Sequence, residues 1–279
     1  MNLSDFGISK IQSFRWQLIS SLDEDEFEKH LELVKSKNKE LTSREFLVLA
    51  SHKLKEIKRF ERQSESISNA ALIHPDDRIK VLKGDFREVL NENVVPDDSV
   101  DLIMTDPMYT LEYLPLWDDL AKFASRVLKP GHLLVAYAGY FHLPKFIDSL
   151  EAHLNYVWLA SIQYQRRTAV FPVKINSCFK PVLIFSKGKY QPGPDVDWLN
   201  DSFQGDPYVD VKTESELQQG VGEFSYFIDC LTNPGDLVVD PFLGFGTCGI
   251  ACKRTGRRFI GSEILEDRFK LAASKIALE

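Results

Sequence analysis

The chain has 279 residues, of which 44% are apolar and 27% are charged, and its formal net charge is −7. This length predicts one sizeable α/β domain with an appendage, and the composition is typical of a soluble globular protein. We expect a cytoplasmic protein, because no apolar run reaches about 18 residues and the first residues lack the features of a signal peptide. The acidic charge argues against tight non-specific binding to DNA, although phosphate contact needs only a local basic patch.

The cysteines and histidines show no metal-binding pattern. Cys178, Cys230, Cys248 and Cys252 form no Cys-x-x-Cys pair, and the six histidines do not stand at ligand spacing. Reduced, buried thiols are favoured over a zinc site or disulfides, so we expect no metal.

Residues 1–73 are predicted to form a helical module. Phe27, Leu31 and Val34 recur at helical spacing, and residues 42–45 have a capping-box pattern ahead of another apolar run. The small, polar residues 64–70 mark the boundary with a second domain, 74–279. The basic stretch 53–62 could contact phosphates or pack against another copy of the chain, and packing in a homodimer is favoured.

From residue 79 onward, short apolar strands alternate with helices. Strands are predicted at residues 79–82, 100–105, 132–137, 156–164, 181–186, 237–240 and 257–261, and helices at residues 117–128, at 141–154 and up to residue 254. The first of these helices is expected to stop at Pro130-Gly131. Residues 163–179 and 188–211 are predicted as loops. The alternation predicts a doubly wound, mostly parallel α/β sheet.

A glycine-rich loop follows the strand that ends at Asp240. Gly244, Gly246 and Gly249 are spaced Gly-x-Gly-x-x-Gly, and glycines allow the backbone to turn tightly and approach a ligand. Glu263 ends the next strand, where a carboxylate can accept hydrogen bonds from ribose hydroxyls. These residues predict a nucleoside-binding site.

The same spacing is the dinucleotide fingerprint, so an NAD-linked enzyme is a competing interpretation. Two features favour S-adenosylmethionine instead. Few residues follow Glu263, which leaves no room for further βαβ units, and Asp240 could hold the charged amino-acid end of this cofactor. Glycines that only pack a helix against a strand are the remaining alternative.

Asp106-Pro107-Met108-Tyr109 closes the strand at residues 100–105. An exocyclic amine on a base ring is a poor nucleophile, because its lone pair is delocalised into the ring. A carboxylate and a neighbouring carbonyl that accept both N–H groups favour a tetrahedral nitrogen, and Asp106 and Pro107 offer this pair. Tyr109 is placed to stack on an extruded base. A proline turn with a surface tyrosine is the alternative without function.

Together these motifs resemble the β-class amino methyltransferases, which make N6-methyladenine or N4-methylcytosine in DNA. The resemblance covers residues 74–279 and is strongest over residues 233–247 and 256–263. The catalytic motif precedes the cofactor loop, which is the circularly permuted order of that family. The resemblance implies a Rossmann-like methyltransferase fold, S-adenosylmethionine as cofactor and double-stranded DNA as substrate, in a prokaryotic or viral protein.

The resemblance also implies roles for individual residues. The implied catalytic residues are Asp106, Pro107 and Tyr109. The implied cofactor-binding residues are Asp85, Asp106, Asp240, Phe242, Gly244, Gly246, Thr247, Glu263, Gln219 and Ser225. Asp106, where N4-cytosine enzymes often have serine, favours a site-specific adenine-N6 methyltransferase. The alternatives are a cytosine-N4 methyltransferase, a degenerate protein that binds cofactor or DNA without turnover, and an enzyme that acts on RNA or a protein amide.

Three departures from the family pattern affect these expectations. Proline usually stands at Met108 and a small residue at Phe245, so we expect a looser catalytic loop and a crowded cofactor pocket. The segment 188–211, the usual site of target recognition, is short. Contact with DNA is therefore expected from the N-terminal helices, a second subunit or the loop 163–179, through Arg166, Arg167 and Lys174. A solvated basic hairpin is the alternative for that loop.

Overall fold

The computed structural model describes residues 10–20, 27–28, 31–32, 46–47, 50, 77–192, 198–204 and 220–279, without the side chains of residues 10, 11, 14, 18 and 165–168. The chain divides into two compact units, Met1–Glu65 and Ser66–Glu279. The predicted boundary between residues 73 and 74 and the basic stretch 53–62 lie outside the described residues, so the two-domain division at that point and the homodimer stay predictions. None of the described helices is long and apolar enough to cross a membrane.

The described residues of the N-terminal unit are helical. Helix α1 spans Lys10–Ser20. The rings of Phe27 and Phe46 stack with their centroids 4.5 Å apart, and Phe46 and Ala50 are buried against Leu31. Side chains of the predicted apolar stripe therefore form a small core within this unit.

The second unit is built on one sheet, with helices on both faces. Its described strands are β1 (Ile79–Lys83), β2 (Val100–Thr105), β3 (Leu128–Tyr137), β4 (Asn155–Val170), β5 (Ile175–Ser186), β6 (Ser202–Gln204), β7 (Leu237–Asp240) and β8 (Arg258–Glu263). Its described helices are α2 (Phe86–Val89), α3 (Leu114–Val127), α4 (Leu143–Glu151), α5 (Val221–Leu231), α6 (Thr247–Arg254) and α7 (Glu266–Leu278), with short 3₁₀ turns at Leu111–Tyr113 and Phe171–Val173.

The strand order is β1-β8-β7-β2-β3-β5-β4-β6. The first five strands run parallel, β5 runs antiparallel to both of its neighbours, and β6 pairs parallel with β4. Alternate residues of β2 point to opposite faces: Ile103 joins a core with α3 and α4, whereas Leu102 and Met104 join a core with α5, α6 and α7. This is the predicted doubly wound α/β arrangement.

Strand β2 is buried along its whole length, because helices cover both faces of the sheet around it. A carboxylate lies on this buried strand. Asp101 accepts hydrogen bonds from the Lys129 ammonium and, at 2.9 Å, from the backbone N–H of Leu237. A buried carboxylate needs such partners, and these contacts fasten the start of β7 to β2.

The helix predicted at residues 117–128 ends within one residue of its predicted end, but the strand predicted from residue 132 begins four residues earlier. Helix α3 ends at Val127, and the chain enters β3 at Leu128 with extended backbone and no intervening loop. Pro130 and Gly131 therefore lie inside a strand. A residue that precedes proline is biased toward extended backbone, which explains why the strand begins before Pro130 and not after it.

Both predicted loops contain strand. Residues 163–179 form a hairpin, in which β4 and β5 stay paired as far as Val170 and Ile175, and the turn closes at Lys174 with φ of 53°. Strand β6 pairs with β4 inside the predicted loop 188–211, of which residues 193–197 and 205–211 lie outside the described residues. Pairing with a distant strand, more than local preference, decides such segments.

We expect Gly249→Val to destabilise the second unit. A Cβ at Gly249 would lie 2.4 Å from Cδ1 of Ile276 and 3.0 Å from the ring of Phe259, so a branched side chain would overpack the contact of α6 with α7 and β8. The free energy of unfolding, measured by urea denaturation, should fall by about 1–3 kcal/mol. Gly222→Val in α5 is the matched control, since no atom lies within 4 Å of its added Cβ. An equal loss in both variants would contradict the packing explanation.

Candidate active site at the carboxyl edge of the sheet

The carboxyl ends of the parallel strands meet at one edge of the sheet. Strand β1 leads to Asp85, β8 ends at Glu263, β7 ends at Asp240 and β2 leads to Asp106. Adjacent parallel strands place the residues that follow them side by side. The fold therefore brings four carboxylates from separate sequence motifs to the same edge.

A buried hydrogen bond joins the two predicted motifs. Thr105 Oγ1 donates to Asp240 Oδ1 at 2.6 Å, across 135 residues of sequence, and the Phe242 N–H donates to the same oxygen at 3.0 Å. Burial raises the pKa of Asp240 to about 7; these two hydrogen bonds oppose that shift, and the charges of Asp106 and Glu263 add to it. Asp240 therefore changes its charge near neutral pH.

The glycine-rich loop between β7 and α6 folds around Glu263. Gly244 and Gly246 have positive φ values of 56° and 85°, which favour glycine. The Gly244 N–H donates to Glu263 Oε2 at 2.9 Å, and the Leu265 N–H donates to Oε1 at 2.8 Å. Each carboxylate oxygen keeps a lone pair for a further donor. Gly246 also packs closely on α7, where an added Cβ would lie 3.1 Å from Ala272.

Asp85 is engaged by its own helix. Its side chain accepts from the Arg87 N–H at the start of α2 and forms an ion pair with the Arg87 guanidinium at 2.6 Å, which lowers the pKa of Asp85. The ring of neighbouring Phe86 packs on Phe242, with centroids 5.2 Å apart. This contact joins α2 to the glycine-rich loop. Contact of Asp85 with the adenine of the cofactor stays a prediction.

Two of the three remaining predicted cofactor residues lie on other helices. Thr247 is buried at the first position of α6, and Ser225 is half-buried in the second turn of α5. Gln219 lies outside the described residues. Cofactor contact by these three residues stays a prediction.

The catalytic loop is held by an indole, despite Met108. The Trp117 Nε1–H donates to the Met108 carbonyl at 2.8 Å, and Trp117 itself is buried and stacks on Phe146 with centroids 4.4 Å apart. The Met108 side chain points outward, with 41% of its surface exposed. Helix α3 therefore supplies one restraint on this loop, and the expected effect of Met108 stays a prediction.

Lys180 is a site residue that the sequence analysis missed. Its ammonium donates to Asp106 Oδ1 at 3.0 Å and to Oδ2 at 3.1 Å, and the residue is only 7% exposed. It also lies 5.0 Å from the ring centroid of Tyr109 and 4.6 Å from that of Tyr137. A single lysine at the head of the apolar run 181–185 was the one available signal.

Three tyrosines surround this ion pair. Burial, and then the charge and hydrogen bond of Asp106, raise the pKa of Tyr109 well above its ordinary value. Tyr137 is fully buried, and its hydroxyl donates to Glu223 Oε2 at 3.3 Å. Burial also raises the pKa of Tyr164 to about 12, while the Lys180 charge opposes that shift. The phenols therefore stay neutral hydrogen-bonding groups at physiological pH.

The Phe245 ring lies beside α7, and the expected crowding of the cofactor pocket stays a prediction. Its ring is flanked by two cations of α7, with Arg268 5.4 Å and Lys275 5.6 Å from the ring centroid. These contacts direct the ring toward α7. Cation–π attraction explains how a large side chain is accommodated at this position.

The predicted DNA-contacting residues lie on the β4–β5 hairpin. Strand β4 runs in the same direction as β3, so the hairpin extends from the edge that carries Asp106. Arg166 and Arg167 belong to β4, although their side chains are outside the described part of the chain, and Lys174 is exposed at the turn. The tip also carries Phe171, 84% exposed. These residues therefore lie at the same edge of the sheet as Asp106, and their contact with DNA stays a prediction.

The sequence matches the DNA methylases that modify N6 or N4 amino groups, over residues 100–274. The chain belongs to this family. The matched region runs from β2 into α7 and therefore contains both the loop at residues 106–109 and the glycine-rich loop. Members of the family are enzymes that transfer a methyl group from S-adenosylmethionine.

Three individual proteins illustrate the relationship. The protein YubD of Escherichia coli (strain K12) is 24% identical over 219 residues, which are 71% of this chain and 90% of YubD. The crystal structure of M1.HpyAVI with S-adenosylmethionine has a TM-score of 0.59 and 24% identity, and the match covers 72% of this chain and 99% of that one. PvuII DNA methyltransferase, cytosine-N4-specific, has a TM-score of 0.60 and 18% identity, with 74% and 90% covered. The predicted Rossmann-like fold is confirmed, and a fold shared with an N4-cytosine enzyme does not by itself select the base.

The residues at the carboxyl edge fit S-adenosylmethionine. An added Cβ at Gly244 would meet only the Phe242 carbonyl oxygen, 3.8 Å away, so the loop leaves room for a ligand beside its backbone. Glu263 is held by backbone donors in an orientation suited to a ribose diol, and Asp240 suits a cationic amino group. Among the described residues, no group of three or more His, Cys, Asp or Glu side chains could hold a metal ion.

We expect the affinity for S-adenosylmethionine to weaken as the pH falls from about 7.5 to about 5.5. The pKa of Asp240 is raised to about 7, so the carboxyl group loses its negative charge over this range and attracts a cationic amino group less. Asp240→Asn should bind roughly tenfold more weakly at pH 7.5 and lose most of the pH dependence in isothermal titration calorimetry. Glu266→Gln, on the exposed surface of α7, is the control and should keep the parental profile. A parental affinity that is constant with pH would count against this role of Asp240.

Proposed function

We propose that the protein is a site-specific DNA adenine-N6 methyltransferase with S-adenosylmethionine as methyl donor. The observation that carries the proposal is the buried hydrogen bond from Thr105 to Asp240. It holds the Asp106-Pro107-Met108-Tyr109 loop beside the glycine-rich loop, so that an amine acceptor and a methyl donor can meet. Membership of the DNA methylase family supports the reaction class.

Asp106 and Pro107 would hold the target amine. The carboxylate of Asp106 and the carbonyl of Pro107 each accept one N–H, which favours tetrahedral geometry and exposes the nitrogen lone pair. When bound, S-adenosylmethionine would supply an electrophilic methyl group to the amine that Asp106 and Pro107 hold, and water would take up the amine proton. Both acceptors belong to one turn, so the backbone keeps them close to each other.

Tyr109 would stack on the extruded base. Its ring packs so closely on Gly139, at the end of β3, that an added Cβ there would lie 3.1 Å from the ring. A chemical step on a base in a duplex needs the base to leave the helix, and an aromatic face stabilises the extruded base. The close contact with Gly139 limits the positions that the ring can adopt.

Adenine is favoured over cytosine by the first residue of the catalytic loop. Asp106 stands where the N4-cytosine enzymes that the sequence resembles often have serine. The Lys180 ammonium beside Asp106 is a partner suited to a carboxylate. The motif order, Asp106 before Asp240, supports placing the chain in the circularly permuted β class.

A degenerate protein without turnover is less well supported. Two departures from the family pattern, Met108 and Phe245, motivate it together with the acidic net charge of −7. The Met108 carbonyl is held by Trp117, and the Phe245 ring lies between Arg268 and Lys275 on α7. These contacts support an enzyme in which both loops keep their positions despite the two departures.

The β4–β5 hairpin and the N-terminal helices are the proposed DNA-contacting parts. Lys174 and the exposed Phe171 lie at the hairpin tip, where a cation can meet phosphate and a ring can meet a base. Arg166 and Arg167 would extend this contact along β4. Packing of the basic stretch 53–62 against another copy of the chain would form a homodimer.

The proposal predicts N6-methyladenine at a recurrent sequence in DNA from a methylation-free bacterial host that expresses this chain. Asp106→Ala should reduce the modification by roughly 1000-fold, because one of the two amine acceptors is lost. Modification-sensitive sequencing measures both. Asp118→Ala, which removes another carboxylate paired with a lysine but lies on the surface of α3, should leave the modification unchanged.

Each alternative gives a different result in the same experiment. N4-methylcytosine at a recurrent sequence would show that the target base is cytosine and not adenine. Unmodified DNA together with calorimetric binding of S-adenosylmethionine would favour the protein without turnover. Labelling of RNA or of protein extract in a radiolabel competition would show that the substrate is RNA or protein and not DNA. Loss of cofactor binding in Asp106→Ala would contradict the division of roles between the two loops.

We expect Tyr109→Ala to lower methyl transfer on a matched duplex about tenfold more than on a duplex with a mismatched target base. A mismatched base leaves the stack at lower cost, so it depends less on the aromatic face. Single-turnover assays on both substrates measure the ratio. Tyr156→Ala is the control, since this half-exposed ring packs on Phe185 near the opposite end of β4. Equal losses on the two duplexes would argue against base stacking by Tyr109.

A further inference from the structure

Lys180 is a buried cation beside the catalytic motif that the mechanism above leaves without a role. Its ammonium contacts both oxygens of Asp106, at 3.0 and 3.1 Å, and lies near the rings of Tyr109 and Tyr137. We propose that Lys180 is a positioning residue for methyl transfer, which holds the Asp106 carboxylate and the Tyr109 ring in the arrangement that the target base requires. This inference rests on the proposed function and adds a residue to the same site.

The surroundings of Lys180 leave its ammonium one favourable position. A charge with 7% exposure needs an opposite charge close by, and Asp106 supplies it. Two ring centroids within about 6 Å add further attraction. The backbone of Lys180 is paired with Ile162 of β4, and the Ala138 N–H donates to the Pro181 carbonyl. The sheet therefore fixes the stem of the side chain, and the ion pair fixes its end.

Contact with both oxygens restrains the plane of the Asp106 carboxylate. One donor that reaches two oxygens opposes rotation about the bond that carries the carboxylate, while each oxygen keeps a lone pair for another donor. The Tyr109 ring lies 5.0 Å from the same ammonium. The amine acceptor and the aromatic ring are thus held by one cation, and a base that enters meets both in a constant relative position.

Helix α5 supports the position of Lys180 through Tyr137. The Tyr137 ring, which lies 4.6 Å from the ammonium, stacks on Phe224 with centroids 5.2 Å apart, and its hydroxyl donates to Glu223. Displacement of a catalytic group by about 1 Å can cost roughly 100-fold in rate. A residue that acts in this way changes the rate of transfer more than it changes the affinity for cofactor or DNA.

The first test compares Lys180→Met with Lys187→Met. Methionine keeps an apolar stem between the rings but removes the ammonium, and Lys187 lies just beyond the opposite end of β5, paired with Asp98. We expect Lys180→Met to lower the single-turnover rate roughly 100-fold, with dissociation constants for S-adenosylmethionine and DNA within about threefold of the parent. Lys187→Met should stay within about twofold. An unchanged or increased rate in Lys180→Met would overturn the proposal, as would a loss that appears only in the dissociation constants.

A second variant separates positioning from a general structural role. Lys180→Ala leaves space for a small amine, so propylammonium should restore at least about tenfold of the lost rate, because it returns both the charge and the N–H donors. Tetramethylammonium carries the charge without any N–H donor and should restore little. Equal recovery with the two cations would overturn the role of the hydrogen bonds to Asp106. No recovery with either cation would overturn positioning by the ammonium.

A third measurement does not depend on activity. With 3-fluorotyrosine incorporated, and resonances assigned by single Tyr→Phe variants, Lys180→Met should shift or broaden the ¹⁹F signals of Tyr109 and Tyr137 and leave that of Tyr156 unchanged. Unchanged signals at Tyr109 and Tyr137 would overturn the proposal. A parent chain that methylates no nucleic acid or protein would overturn the proposed function, while the fluorine signals would still decide whether Lys180 holds the rings.

Discussion

The hydrogen bond from Thr105 to Asp240 is the contact on which the rest of the site depends. It joins the last residues of β2 and β7, two neighbouring parallel strands that are 135 residues apart in sequence. The chain leaves both strands at the same edge, so the catalytic loop and the glycine-rich loop begin side by side. At the other end of the same strands, the Leu237 N–H donates to the buried Asp101 carboxylate. The two strands are thus held together at both ends, and this fixes where the loops that follow them begin.

The three carboxylates near that contact have different hydrogen-bonding partners, and these partners decide what each carboxylate can do. Asp106, Asp240 and Glu263 lie close enough that the first and the third raise the pKa of the second. Backbone N–H groups hold Glu263, a hydroxyl holds Asp240, and an ammonium with two tyrosine rings holds Asp106. Neutral donors leave a carboxylate able to attract a cationic ligand, whereas a paired carboxylate serves as an oriented acceptor. The two kinds of environment suit the two halves of a methyl-transfer site.

Much of this arrangement could be predicted from the sequence, because it depends on local patterns. Short apolar runs that end in Asp, Gly or Pro predicted the central strands, and the residues at their ends predicted the loops around Asp106 and Asp240. The match to the DNA methylase family covers both motifs. The same local reasoning failed where a distant partner decides the structure. The hairpin at residues 163–179 exists because β4 and β5 pair along their length, and Phe245 turns toward α7 because Arg268 and Lys275 lie there.

By itself, the sequence determined which residues end the parallel strands, and therefore which carboxylates lie at the carboxyl edge, since strand propensity and turn chemistry act over a few residues. Only the tertiary structure decided what surrounds each carboxylate. Lys180 reaches Asp106 from a strand 74 residues further along the chain, and Trp117 restrains the Met108 carbonyl from α3. Such contacts follow from strand register and helix packing, which depend on the whole buried core. The spacing of these residues in the sequence therefore does not predict them.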